Sequence, residues 1–338
     1  MTITLSGAPG SPYTRKMLGV LRYRRIAYRF LLSGSAAAQA MPQPKVRLLP
    51  TFYLPDEGGE LRAVTDSTPL IRRLEREVEG RSIIPSDPAL RFLDELIEDY
   101  ADEWLTKAMF HYRWAHADDA DQAGRVLPCW VGMSMPNEAL APLQTGFAQR
   151  QIGRLGVMGS NAVTGPVIEA SYRRFLEAFE AHLSVQPFML GQRPAACDFA
   201  VFGQLTQLAG FDPTPMRLTA QVAPRVMAWV GVMEDLSGPE PAEDGWNDPA
   251  ALPATLMGLL AEMGRTYAPV MAANARALMA GETEVRAEVD GQPWTQQPFP
   301  YQAKCLGWLR EAHGALPDAA RERVDPLLAE AGLSGLFA

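Results

Sequence analysis

The chain has 338 residues, of which 47% are hydrophobic and 21% charged, and its formal net charge is −8. This composition is typical of a globular protein large enough for two or three domains, and the acidic balance argues against a nucleic-acid partner. The sequence contains no apolar run long enough to span a membrane and no signal-peptide pattern, which predicts a cytoplasmic protein without a membrane partner. Its three cysteines are far apart in sequence, which predicts reduced thiols.

Residues 1–85 alternate between strand and helix patterns. Strands are expected at 2–5, 28–32, 48–54 and 61–64, with helices at 12–24 and 69–79. This order predicts a small α/β domain with a mixed sheet. The same segment carries an excess of basic residues while the rest of the chain is acidic, which favours a small anionic ligand bound by the first domain.

The turn between the first strand and the first helix is a candidate binding site. It ends in Ser11-Pro-Tyr-Thr-Arg-Lys16, with Ser11 at the N-cap position and Pro12 at the first helical position. The dipole and N–H groups of this helix N-terminus would favour an anion, in particular a thiolate, above Ser11. An ordinary serine cap in a strand–turn–helix connection explains the same residues, so both interpretations stay open.

Two further stretches of the first domain allow a structural and a functional interpretation. Pro50 interrupts a strand, as in an edge strand or in a turn with a cis Leu49-Pro50 bond that leaves the Leu49 backbone free to pair with a peptide. Asp66 and Ser67 precede the next helix, and one of them should cap it. Alternatively, this helix N-terminus holds a ligand carboxylate through backbone N–H groups and the Ser67 hydroxyl, while Asp66 faces an ammonium group.

After residue 85 the pattern is helical. We expect a long amphipathic helix at 89–116, a less regular stretch at 117–165, and helices at 166–183, 197–209 and 222–236. A polar linker at 237–249 leads to a helical stretch at 251–280 that Pro269 breaks, a hairpin around Asp290-Gly291 and two short helices. We therefore divide the chain into an α/β domain at 1–85, an all-helical domain at 89–236 and an extension at 237–338.

One more motif completes an ordered set. Phe188-Met-Leu-Gly is followed by Cys197-Asp-Phe, and Asp198 is expected to close a capping box on the N–H of residue 195. Together with the Ser11 stretch, Pro50 and the Asp66-Ser67 pair, this order resembles the cytosolic glutathione S-transferase superfamily of the serine type, over about residues 1–236. The resemblance implies a thioredoxin-like first domain, an all-helical second domain and an atypical extension.

The resemblance also implies which residues bind glutathione: Ser11, Tyr13, Lys45, Arg47, Leu49, Pro50, Asp66 and Ser67. In this scheme the Ser11 hydroxyl donates to the glutathione sulfur and is the catalytic group. The Leu49 backbone pairs with the cysteinyl residue, Asp66 and Ser67 hold the γ-glutamyl end, and the two basic side chains meet the glycyl carboxylate.

The implied reaction is attack of the glutathione thiolate on a small apolar electrophile. Its pocket would be lined by aromatic residues of the first long helix in the second domain: Trp104, Phe110, Tyr112 and Trp114. Two alternatives stay open, a glutathione-transferase fold that binds without turnover and a glutathione-dependent peroxidase or isomerase. The superfamily also implies a homodimer.

Three departures from the family pattern matter. Ala195 stands where a capping Ser or Thr is usual, and residues 1–85 hold no cysteine, which argues against disulfide exchange. The extension could cover the electrophile pocket, enlarge a dimer interface or bind a partner.

No metal site is expected. His111 and His116 lie five residues apart, about 140° around a continuous helix, and so should not converge on an ion. Acidic residues on the same predicted helix are interpreted as a solvated face: Glu95, Glu98, Asp99, Asp102 and Glu103.

Overall fold

The computed structural model describes residues 2–242 and 245–338. The first four strands are β1 (Ile3–Gly7), β2 (Tyr28–Leu32), β3 (Thr51–Pro55) and β4 (Leu61–Val64), and they form one sheet in the order β2-β1-β3-β4. The β1 and β2 strands are parallel, while the other pairs are antiparallel. The predicted mixed sheet is therefore confirmed.

Three helices accompany this sheet. They are α1 (Pro12–Tyr23), the single turn α2 (Ala36–Gln39) and α3 (Ser67–Glu77). The α3 helix begins two residues before its predicted start, and the β3 strand begins three residues after its own predicted start. The Leu49-Pro50 bond is cis. The interpretation of that stretch as a turn with a cis bond is therefore confirmed, and the interpretation as an edge strand is wrong.

The region that follows is entirely helical. Its longest segment runs through α4 (Pro88–Tyr100), a π-helical turn (Ala101–Leu105) and α5 (Thr106–Ala115). The stretch at 117–165 was predicted to be less regular, and this is confirmed, because a 3₁₀ turn and the non-helical residues 131–136 and 153–164 interrupt its helices. The remaining helices are α6 (Ala117–Val126), a 3₁₀ turn (Leu127–Trp130), α7 (Asn137–Ile152), α8 (Gly165–Leu183), α9 (Ala196–Leu208), α10 (Pro213–Val222) and α11 (Pro224–Met233).

The two regions meet where α1 packs on α9. A Cβ on Gly203 would lie 2.5 Å from the Pro12 carbonyl oxygen, so the helices approach closely only because this residue is glycine. At the start of α9, the Asp198 carboxylate accepts from the Ala195 and Met189 N–H groups, both at 2.9 Å. The predicted role of Asp198 is confirmed, and the fold is a thioredoxin-like α/β sandwich followed by a helical region.

The extension contains α12 (Ala254–Arg265), α13 (Tyr267–Ala280), β5 (Val285–Val289), β6 (Gln292–Gln296), α14 (Pro300–Gly314) and α15 (Asp318–Glu330). The predicted hairpin is confirmed, with Asp290 and Gly291 at φ of 54° and 70° in its turn. The helix break falls at Thr266 rather than at Pro269, because a proline in the first turn of α13 removes no helical hydrogen bond.

The extension packs back onto the body of the protein. The α12 helix contacts α8, and both α14 and α15 contact α4. Trp294 of β6 is fully buried with its ring centroid 5.3 Å from that of Trp104. The predicted linker pairs with the body at Gly191 and Trp246, while its positions 243 and 244 lie outside the described residues. Every helix in the described ranges is too short or too polar to cross a bilayer.

Candidate functional site

Strand register brings the three predicted binding stretches to one edge of the sheet. Ser6 pairs with Thr51, and Phe52 pairs with Val64. Because neighbouring antiparallel strands end and begin at the same edge, β1 ends, β3 begins and β4 ends on this side. The loops that carry Ser11, Leu49 and Asp66 leave the sheet together there.

Ser11 lies at the N-terminus of α1 and is partly exposed. Its hydroxyl oxygen accepts from the Thr14 N–H at 3.3 Å, so it caps the helix as predicted. A hydroxyl has a donor in addition to its acceptor lone pairs. The cap therefore leaves the Ser11 proton available for an anion above the helix.

The segment before β3 presents backbone and basic groups. Within residues 2–242 and 245–338, the Leu49 N–H and C=O take part in no hydrogen bond, since the β3 ladder begins at Thr51. Lys45 and Arg47, the predicted partners of the glycyl carboxylate, are both exposed in the same segment. An extended peptide could thus pair with Leu49 beside two cations.

The N-terminus of α3 is not capped by a side chain. Asp66 has φ of 85°, and its carboxylate accepts from the Tyr301 hydroxyl of α14 at 2.8 Å. The Ser67 hydroxyl accepts from the Lys16 ammonium group at 3.2 Å. The expectation that Asp66 or Ser67 caps α3 is therefore wrong, because each side chain contacts a distant residue instead. The first N–H groups of the helix remain suited to an anion.

A buried lysine connects the two helices of the site, and the sequence analysis missed it. The Lys16 ammonium group lies 2.8 Å from Glu98 Oε1 and 2.6 Å from Asp102 Oδ2, with a side chain only 1% exposed. Burial alone would lower its pKa, but Asp102 and Glu98 hold the pKa of Lys16 above its ordinary value. The Tyr13 hydroxyl, predicted to lie beside glutathione, donates to the Asp102 carbonyl at 2.8 Å.

The acidic face of the long helix is not solvated, contrary to the sequence interpretation. Glu98, Asp102 and Glu103 are buried and Glu95 and Asp99 half-buried. Lys16 and the first turns of α3 cover one side of this face, and α13 and α14 of the extension cover the other. The Tyr267 hydroxyl donates to Asp99, and the Gln302 amide donates to the Glu103 carbonyl at 3.2 Å. A cavity of about 220 Å³ remains between this face, the first turn of α3 and α14. The helical pattern alone could not show that another segment covers these charges.

Burial changes the protonation of this face. It raises the pKa of Asp99 to about 7 and that of Asp102 to about 6, and the neighbouring carboxylates add to the effect. In an unfolded chain an aspartate has a pKa near 3.9. Ionisation of Asp99 is therefore easier in the unfolded chain, so its contribution to stability decreases as pH rises from about 4 to about 7 and is constant above that.

An Asp99→Asn variant should therefore gain stability relative to wild type as pH rises. We expect the difference in melting temperature, variant minus wild type, to increase between pH 5 and pH 8, because only wild type must ionise a buried carboxyl. Thermal unfolding of both proteins across this range measures it. Asp121→Asn, at a side chain 63% exposed, serves as the control for the same substitution at the surface. A constant difference for Asp99→Asn would contradict the assignment.

The four aromatic candidates do not line one common pocket. The chain from 101 to 114 is buried on all sides, so its aromatic side chains point in different directions. Trp104 donates to Ser171 at 2.8 Å and contacts Trp294. Phe110 and Trp114 pack together in a separate cluster, and Tyr112 packs against His116. Of the four, only Trp114 lines a described cavity.

The apolar neighbours of the Ser11 loop come from a segment that the sequence analysis did not single out. A Cβ on Gly10 would lie 2.5 Å from side-chain atoms of both Leu127 and Trp130. The 3₁₀ turn that carries these two residues therefore packs directly on the loop. An isolated Trp in an irregular stretch offered no periodic signal for this placement.

The same loop is held by a buried ion pair. Arg113 Nη1 donates to the Gly10 carbonyl at 3.1 Å, and its Nε and Nη2 atoms donate to the two carboxylate oxygens of Asp212 at 2.8 and 2.9 Å. Gln207 accepts from Arg113 at 2.8 Å and donates to the Pro9 carbonyl at 3.2 Å. The helical region thus fixes the backbone immediately before Ser11.

The prediction that His111 and His116 do not converge is wrong. Their ring nitrogens and a carboxylate oxygen of Glu169 lie within 4.8 Å of one another. The sequence argument assumed one continuous helix, but α5 ends at Ala115 and the chain turns at His116.

Comparison with known proteins finds one family match, which lies within the first domain. Residues 5–82 match the family model of the glutathione S-transferase N-terminal domain. None of the curated proteins compared with the chain matches it.

Three solved structures illustrate what the chain is similar to. A glutathione S-transferase from Rhodospirillum rubrum F11 is 15% identical, with 73% of this chain and 96% of that chain covered and a TM-score of 0.43. A glutathione transferase family member from Pseudomonas fluorescens pf-5 is 17% identical, with 76% and 92% covered and a TM-score of 0.41. The β-etherase LigF from Sphingobium sp. strain SYK-6 is 18% identical, with 69% and 95% covered and a TM-score of 0.44.

Proposed function

We propose that this chain, whose residues 5–82 match the glutathione S-transferase N-terminal domain family, binds glutathione and joins it through its sulfur to a small apolar electrophile. The S–H bond of the thiol breaks, a sulfur–carbon bond forms, and the electrophile releases its leaving group or takes up the proton. The observation that carries the proposal is the convergence of Ser11, the unpaired Leu49 backbone and the uncapped N-terminus of α3 at one edge of the sheet. These groups match the sulfur, the peptide backbone and the carboxylate of one tripeptide. A cytoplasmic homodimer completes the proposal by analogy with the family.

The chemistry asks little of the site. A free thiol has a pKa near 8.5, so lowering it by one or two units makes the thiolate abundant at neutral pH. The Ser11 hydroxyl and the N-terminus of α1 both favour the thiolate. The thiolate would then attack an electrophile placed against the apolar side of the Ser11 loop, where Leu127 and Trp130 lie.

One observation favours binding without turnover as the second candidate. The Asp66 carboxylate already accepts from Tyr301, and Ser67 already accepts from Lys16. Two groups proposed to hold the γ-glutamyl end are thus engaged by the protein itself. A glutathione-dependent peroxidase or isomerase would use the same thiolate and is distinguished by its substrates.

Calorimetric titration of wild type and Ser11→Ala with glutathione tests the proposal. We expect wild type to bind at or below millimolar glutathione and to lower the pKa of the bound thiol, followed by thiolate absorbance. Loss of one hydrogen bond to a charged group is worth about 1.5–3 kcal/mol, so Ser11→Ala should slow conjugation of a reactive electrophile about 10- to 100-fold.

Ser35→Ala provides the matched control. Ser35 caps α2 by accepting from the Ala38 N–H at 3.3 Å, as Ser11 caps α1, and its hydroxyl is not among the groups proposed to contact glutathione. This variant should conjugate at the wild-type rate. Absence of glutathione binding by wild type would contradict both glutathione-dependent activities, and binding without turnover that depends on Ser11 would favour the second candidate.

A further inference from the structure

His111, His116 and Glu169 form a cluster with the spacing of metal ligands. His111 Nε2 and His116 Nε2 each lie 3.1 Å from the same Glu169 oxygen, Oε1. The ligand atoms of a tetrahedral zinc site, at about 2.0 Å from the ion, are about 3.3 Å apart. The two separations from the Glu169 oxygen are thus close to those that one shared ion requires, and all three ligand atoms lie within 4.8 Å of one another.

Three separate elements place these ligands. His111 lies on α5, and Glu169 lies one turn into α8. His116 is the residue at which the chain turns from α5 into α6, with φ of −91° and ψ of 128°. This extended conformation redirects the chain, so the His116 ring stacks on Tyr112 with a centroid separation of 5.3 Å and points toward Glu169.

The remaining contacts of His111 fix its ring in a ligand orientation. Its Nδ1 atom lies 2.8 Å from the Ser160 hydroxyl, which leaves Nε2 directed at the cluster. A Cβ on Gly165 would lie 2.9 Å from His111 Cε1, so only glycine leaves room for the ring there. Metal-bound histidines commonly have such a partner on the second nitrogen.

The cluster opens onto a cavity. His111, Glu169 and Ser160 line a cavity of about 480 Å³, together with Trp114 and Asn161. The Glu169 side chain is 43% exposed and that of His116 is 33% exposed, so an ion could enter from solvent. Two histidines and one glutamate leave the fourth position of a tetrahedral ion open, and this open position is typical of catalytic rather than structural zinc sites.

We propose that His111, His116 and Glu169 bind one divalent transition-metal ion, zinc by ligand type, with its open position facing the cavity beside Trp114. The ligand set is two imidazoles and a carboxylate, which suits zinc better than magnesium or calcium. The site is independent of the Ser11 edge and of the proposed glutathione chemistry.

Zinc titration of the chelator-treated full-length protein, followed by calorimetry, tests the proposal. We expect one zinc ion per chain and a higher melting temperature with zinc, because a bound ion stabilises the folded state. His116→Phe keeps a ring to stack on Tyr112 but offers no nitrogen, and Glu169→Gln keeps the shape of the side chain. Each should weaken binding at least about 100-fold, and Ser160→Ala about 10-fold.

Asp325→Asn is the matched control, because His313 and Asp325 form another histidine–carboxylate pair, 2.8 Å apart, that has no third ligand among residues 2–242 and 245–338. It should bind zinc like wild type. Cobalt in place of zinc should give the visible bands of a tetrahedral ion without a thiolate charge-transfer band. Absence of zinc binding, unchanged binding in His116→Phe and Glu169→Gln when circular dichroism shows both folded, or a thiolate band would overturn the proposal.

Discussion

Replacing Asp212 with alanine is expected to lower the free energy of unfolding by about 3–5 kcal/mol, because it leaves the buried Arg113 guanidinium without its charge partner. Both side chains are at most 4% exposed, and three hydrogen bonds join Arg113 to the two carboxylate oxygens of Asp212. Chemical denaturation of wild type and variant measures the change in the free energy of unfolding, provided that this free energy depends on denaturant concentration with the same slope in both proteins. The loss exceeds that of a typical surface substitution because water cannot replace the missing carboxylate.

The control for this variant removes an exposed pair of the same type. Asp121 pairs with Arg125 across one turn of α6, with side chains 63% and 68% exposed. Asp121→Ala should change the free energy of unfolding by at most about 0.5 kcal/mol. A similar small change for Asp212→Ala would mean that Arg113 is solvated in solution. Because Arg113 also holds the Gly10 carbonyl, the variant should weaken glutathione binding as well.

Ending the chain after residue 240 should leave a protein that does not fold to a soluble, cooperative state. The extension supplies fully buried side chains, among them Tyr267 and Trp294, to the same core as Trp104. Removal of one buried Trp or Phe side chain costs about 3–5 kcal/mol, and several such losses exceed the 5–15 kcal/mol that stabilises a typical domain. Solubility and the unfolding transition of the truncated chain are the measurements.

Two point variants measure how much the extension stabilises the full chain. Trp294→Ala should cost about 3–5 kcal/mol because its ring is buried against Trp104. Met279→Ala, at a side chain 86% exposed in the same extension, should stay within about 0.5 kcal/mol of wild type. A truncated chain that is soluble, folded and as active as the full chain would show that the body is stable without the extension.

Elements that depend on neighbouring residues in the sequence were predicted well, in the first domain and in the extension. The strand at 28–32, the helix that begins at Pro12 and the hairpin at Asp290-Gly291 all depend on neighbouring residues, and the structure contains each of them. The candidate binding stretches likewise followed from local helix starts and an interrupted strand. Their meeting at one edge depends on strand register, which the sequence analysis did not predict.

Contacts between distant segments were not predictable in this way. In the sequence, Lys16 is one more basic residue on a predicted helix. Its partners Glu98 and Asp102 are 82 and 86 residues away and meet it only in the folded structure. Glu103 reads as solvated until Gln302 covers it. The helix break at His116 carried no proline or glycine, so the expected angle between the two histidines assumed a straight helix that the tertiary fold does not keep.

The contact between Tyr301 and Asp66 sets an order of events during synthesis. The two residues are 235 positions apart, so Asp66 leaves the ribosome long before its partner exists. The first domain can form its sheet early, because all four strands lie within residues 3–64. Domains commonly fold from the N-terminus as the chain emerges. The edge that carries Ser11 can therefore form first, and Asp66 can receive its hydroxyl partner only after α14 has been synthesised.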